Sequence, residues 1–176
     1  MPEVVSGEVC ATRLDEVKKD FLKCPEAKML WLQVQSQGGF GIAAASTEIV
    51  PTGGGINLRE RLIYLVLLGT EVPFLLMELS NMDQAIAFSY LTERKCAYSA
   101  DEYAVRVTAL EYEAGRKAYS IAKLCIDNGK WSTDWYGRLE KFSESGIWSN
   151  YEGFKEDEKH NGHADHYKVK WHKACG

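Results

Sequence analysis

A chain of 176 residues, 45% apolar and 26% charged, is long enough for one domain with a sizeable core and has the composition of an ordinary globular protein. Its net charge of −4 disfavours a general binder of nucleic acid or of an anionic membrane. No apolar run reaches the length of a membrane span, and the first twenty residues lack the basic start and continuous apolar core of a secretory leader.

The five cysteines, at 10, 24, 96, 125 and 175, are odd in number, irregular in spacing and contain no C-x-x-C. That pattern reads as free, reduced thiols in a cytoplasmic protein, with Cys125 a small core residue.

In chain order, residues 4–11 are mildly β-like. Residues 12–23 place Leu14, Val17, Phe21 and Leu22 on one helical face, with Cys24-Pro25 as the stop. Residues 29–35 alternate Leu30, Leu32 and Val34 with Trp31, Gln33 and Gln35, a strand pattern. Gln37-Gly38-Gly39 is a turn, residues 40–45 are the returning strand, and residues 47–50 add a third short strand closed by Pro51 and three glycines. The triple glycine lacks the Lys-Ser or Lys-Thr of a phosphate loop and does not meet G-x-G-x-x-G, so a permissive turn is the better account.

Residues 62–68 are apolar on every side, which as a helix requires burial all round. Gly69-Thr70-Glu71-Val72-Pro73 then either kinks that helix or ends it, with Pro73 in the first turn of the next. Residues 74–91 continue as helix with Leu75, Leu76, Leu79, Met82, Ile86 and Tyr90 inward. Glu78, seven residues after Glu71, shares its face and is either a second carboxylate near the same place or simply exposed.

Ser99 and Glu102 form a capping box, and Asn128-Gly129 is a stop. Between them Val107, Ala114, Ala118, Ile121, Ala122 and Cys125 make an inward stripe. Glu111 falls within it: a carboxylate that must be paired, protonated or bound to a cation if buried. A Glu at the stripe edge, paired to an Arg, accounts for it without any site.

Thr70-Glu71-Val72-Pro73-Phe74 followed by Glu111-Tyr112-Glu113-Ala114-Gly115 resembles the HExxH…ExxAD arrangement of gluzincin-type zinc peptidases, over roughly residues 27–135. Both histidine ligands are replaced, by Thr70 and Phe74, and the Asp of the second motif is Gly115. The resemblance implies a zincin-like fold in which Glu71 is the would-be general base and Glu111 the would-be third zinc ligand. A catalytic zinc needs three protein ligands, so it also implies that the hydrolytic chemistry is lost.

Ser132 can cap a short helix bearing Trp135, Leu139 and Phe142. Residues 144–159 read as a loop whose Trp148, Tyr151 and Phe154 either pin it to the core or offer a partner surface. All four histidines follow, at 160, 163, 166 and 172. His160, His163 and His166 are candidate metal ligands that could join Glu111 and restore a zinc site. Tyr167, Val169 and Trp171 alternate with His166, Lys168, Lys170 and His172, a terminal strand with one basic face.

The expected fold is α+β in a single domain. A strand-rich part (1–55) precedes a helical core (56–143) and a loop with a C-terminal strand (144–176), the strands forming a small antiparallel sheet. The expected function is a non-catalytic factor that binds another protein, without a cofactor. The alternatives are a zinc hydrolase using Glu71 and Glu111 with the tail histidines, and an assembly subunit docking through Trp148, Tyr151 and Phe154.

Overall fold

The computed structural model describes residues 7–48, 53–160 and 162–176, with the side chains of 7–9 and 158–160 outside that description. The fold is α+β, with helices packed around α3 (Glu71–Asp83) and one small sheet. Leu75, Leu76, Leu79 and Met82 of α3 are fully buried, and the helix touches elements on every side, including α5 (Ala100–Asp127).

The N-terminal part is helical rather than strand-rich. α1 (Gly7–Phe21) starts within the stretch read as β-like, the remainder of which lies outside the described residues. α2 (Pro25–Ser36) replaces the strand expected at 29–35. Its buried residues, Ala27, Leu30, Trp31 and Val34, are spaced three, one and three apart, while Leu32 and Met29 are exposed. The alternation was therefore an accident of composition, and Pro25 opens a helix instead of closing one.

The sheet comprises β1 (Gly41–Ala44), β2 (Gly54–Asn57) and β3 (Leu62–Leu65) in the order β1-β3-β2. It is mixed, not antiparallel: β3 pairs with β1 in parallel and with β2 antiparallel. Of the third strand expected at 47–50, Thr47 and Glu48 form a turn and the rest lies outside the described residues. The apolar run at 62–68 is thus the central strand and not a helix. A short run buried on both sides fits either state, and Ile63 and Leu65, both fully buried, supply strand contacts. Arg61, at φ 51°, turns the chain into β3, and its guanidinium donates to the carbonyls of Gly39 and Val34.

Gly69 adopts φ 87° and Thr70 stands at the N-cap position of α3 without a side-chain cap bond, so Pro73 occupies the first turn of a new helix, but β3 and not the expected helix precedes Gly69. α4 (Ala85–Glu93) begins after a break at Gln84, whose amide donates to the carbonyl of Leu110 at 3.0 Å. That break resets the helical phase. Phe88 and Leu91 face the core, whereas Ile86 and Tyr90, expected inward, are exposed.

α5 carries the anticipated capping box, Ser99 Oγ accepting from the Glu102 N–H at 3.2 Å. Its stripe of Val107, Ala114, Ala118, Ala122 and Cys125 is buried. Gly115 sits where a Cβ would lie 2.0 Å from the Phe142 ring, so its missing side chain admits that ring. Phe142 ends a 3-10 segment (Thr133–Phe142) that turns at Gly137 and is capped by Ser132.

In the C-terminal part, residues 144–150 are turns and bends as expected, but α6 (Tyr151–His160) replaces the rest of the expected loop and α7 (His163–Cys175) the expected strand. Tyr167 and Trp171, four apart, pack on Phe88, Leu91, Tyr103 and Val107, while Val169 is half-exposed. The Trp171 indole donates to the carbonyls of Lys95 and Tyr98.

The cysteine reading is overturned. Cys24 is bonded to Cys125 and Cys96 to Cys175, leaving Cys10 as the unpaired thiol among the described residues. The partners are 101 and 79 residues apart, separations at which spacing carries no information about pairing. The first bridge joins the α1–α2 corner to the end of α5. The second straps the end of α7 to the 3-10 turn Lys95–Ala97.

Candidate functional site

A cavity of about 540 Å³ lies between α3, β2, α5, the 3-10 segment and the start of α7. Its walls are apolar, and one part of the lining carries Glu78, Asn81, Glu111 and His163. The size is that of a typical small-ligand site.

The walls follow from local sequence. Phe74 lies against β2 because Gly53 and Gly54 have no side chains. A Cβ on Gly53 would come within 2.6 Å of the Phe74 ring, and one on Gly54 within 3.0 Å of its Cβ. The glycine run therefore serves close approach as well as turning. Trp148 and Phe154 are 3% and 2% exposed and, with Phe142, form an aromatic cluster that lines the cavity. The Trp148 indole donates to Asp157 at 2.8 Å, and the Tyr151 hydroxyl donates to the Val105 carbonyl at 3.0 Å. Of the two roles weighed for these aromatics, they take the pinning one.

The polar groups come from three helices. Glu78 and Asn81 are three apart on α3, and the Asn81 amide donates to the Glu78 carboxyl at 3.3 Å. Burial is the main cause that pushes Glu78 up to about 7, with Glu111 adding to the rise. The Asn81 hydrogen bond, His163 and Arg138 oppose it. Glu111, in the α5 stripe, accepts from the Tyr167 hydroxyl and lies 3.4 Å from His163 Nδ1. Burial first, then the Glu111 charge and hydrogen bond, hold the Tyr167 hydroxyl well above the usual tyrosine range, so it is a donor at every physiological pH. Asn81 is 9% exposed, and its carbonyl oxygen has no hydrogen-bond partner among the described residues. A buried, unpaired amide oxygen is uncommon.

Glu71 does not join this group. It is 2% exposed, pairs with Arg13 at 3.2 Å and accepts from the Gly69 N–H at 2.9 Å, and it is absent from the cavity lining. Its carboxylate anchors the start of α3 to α1. Of the histidines expected beside Glu111, His163 is there and His166 is exposed on α7, while the His160 side chain lies outside the described residues. Among the described residues, the three donors of metal-binding type that converge within 4.8 Å are Cys24, Glu26 and Cys125, and both of those sulfurs belong to one disulfide.

Asn81, Tyr167 and Arg138 carried no signal as site residues in the sequence, and Glu78 was as readily a surface residue. The Glu78–Asn81 spacing, directly after the apolar run 72–77 on the same helix, is the pattern that could have marked them. Among the described residues, no helix is long and apolar enough to cross a membrane. Comparison with protein-family models, with curated proteins and with solved structures finds no match to this chain.

Proposed function

We propose that this chain is a non-catalytic binding protein whose cavity takes a small, largely apolar ligand. The observation that carries this is the cavity itself, with aromatic and aliphatic walls and its few polar groups gathered in one part of the lining. It replaces the expected protein partner with a small one, since Trp148 and Phe154, the aromatics offered for docking, face inward. The two disulfides support action in an oxidising compartment rather than in the cytoplasm.

The test is titration of the oxidised full chain with a neutral apolar dye, followed by dye emission and by quenching of Trp148. Saturable one-to-one binding is expected. Met77 lines the cavity, so Met77→Trp should fill part of it and weaken dye binding at least tenfold with the far-UV circular dichroism unchanged. Equal dye binding by Met77→Trp would remove the proposal.

The Glu111–His163 contact favours a second reading, a metal-dependent hydrolase on a degenerate zincin-like core in which Glu71, paired to Arg13, takes no part. It brings together two of the donors expected for such a site. Zinc content of the purified chain decides it: one zinc per chain, lost in His163→Ala, supports the hydrolase, and equal zinc in both proteins excludes this ligand set.

A further inference from the structure

The cavity's polar groups specify the chemistry of the ligand's head. Glu78 and Asn81 come from α3 and Glu111 from α5, and all three line the same cavity. Asn81 is nine-tenths buried, and its carbonyl oxygen has no partner among the described residues. Among the described residues the Asn81–Glu78 contact is the one hydrogen bond to the Glu78 carboxyl, leaving acceptor capacity there too. A lining with several open acceptors and a buried unpaired carbonyl is completed by a ligand that brings donors.

We propose that the ligand is a small organic amine with an apolar body, its ammonium nitrogen seated between the Asn81 carbonyl and the Glu78 and Glu111 carboxylates. This rests on the reading of the cavity as a ligand site. An ammonium has three N–H donors and no acceptor, which suits the Asn81 carbonyl and the Glu78 carboxyl. A carboxylate head would meet the Glu78 and Glu111 carboxyl groups as well as Arg138 and His163, and an alcohol supplies one donor where several are wanted.

The groups facing Glu78 are Asn81 on its own helix, Glu111 from α5, Arg138 from the 3-10 segment and His163 from α7. His163 lies on Glu111, and the Arg138 guanidinium lies 5.6 Å from the Trp148 ring. Bound ammonium favours the charged form of Glu78, so binding of the amine strengthens as pH rises through the range where that carboxyl ionises.

The experiment compares three probes of one chain length, n-octylammonium, n-octanol and n-octanoate. Each competes against the neutral dye on the oxidised full chain at pH 5.5 and 8.5. The amine should displace dye at least tenfold more effectively than octanol at pH 8.5, with octanoate weakest. Its advantage should shrink several-fold at pH 5.5 and be lost at both pH values in Glu78→Gln. Asn81→Leu should weaken the amine and leave octanol unchanged. Met77→Trp should weaken all three, which separates the cavity from loose attraction of a cation to an acidic surface. If octanol or octanoate competes as well as the amine, the amine assignment is overturned while the cavity reading stands. If neither the dye nor any probe binds, both fall together.

Discussion

Replacing Cys24 and Cys125 by Ala is expected to lower the unfolding free energy by about 3–5 kcal/mol, the largest effect of any change considered. The bridge closes a loop spanning 101 positions, and on the chain-entropy account a loop near that size contributes about 4.7 kcal/mol by restricting the unfolded chain. Both sulfurs are fully buried in the main core with Phe21 and Trp131, so their loss also leaves small voids among ordered aromatics. For a chain of this size the shift corresponds to a fall in melting temperature on the order of 10 °C. Thermal denaturation of the double variant beside the parent checks it. A change below 2 °C would mean that the bridge does not hold the α1–α2 corner to α5.

Glu78→Gln is expected to stabilise the protein at pH 8 and to do nothing at pH 4. The folded chain holds the Glu78 proton up to about pH 7, whereas the ordinary value for a glutamate side chain is 4.5. The folded state therefore binds more protons than the unfolded state between those two values, and stability falls as pH rises through that window. Below about pH 4.5 both states are protonated and the penalty is absent. Above about 7 both are ionised and the penalty is complete, about 3 kcal/mol for a shift of that size. Gln keeps the neutral shape and can accept from the Asn81 amide without ever ionising. Urea denaturation at pH 4 and 8 should show the two proteins equal at the lower value and the variant ahead by about 2–3 kcal/mol at the higher. Parallel pH profiles would show that the Glu78 carboxyl ionises in the fold as freely as in water. The same side chain that weakens the empty protein at neutral pH is the one offered to a cationic ligand, an exchange of stability for binding.

Much of the helical framework could be read from residues. Ser99 with Glu102 set the start of α5 and Asn128-Gly129 its end, because caps satisfy backbone groups locally and need no distant partner. The Gly69–Pro73 break and the start of α3 followed from backbone sterics alone. Glu111 does fall within the α5 stripe, but it is only partly buried and its partners are Tyr167 and His163 rather than an Arg.

What failed did so where two periods fit the same short run. Residues 62–68 satisfied a buried helix and became the central strand, 29–35 alternated like a strand and became α2, and 167–171 alternated like a strand and became α7. In each case the choice lay with neighbours far along the chain: β1 and β2 for the first, α3 and α5 for the second, and Phe88, Tyr103 and Val107 for the third.

The sequence by itself determined the helix caps, the backbone breaks and the presence of carboxylates among apolar residues, all of which depend on covalent geometry and near neighbours. Only the tertiary structure decided that Glu71 turns to Arg13 while Glu78 and Asn81 turn to Glu111, and that four scattered cysteines pair. Those outcomes are contacts between segments up to a hundred residues apart, and no pattern within one segment encodes which distant surface it will meet.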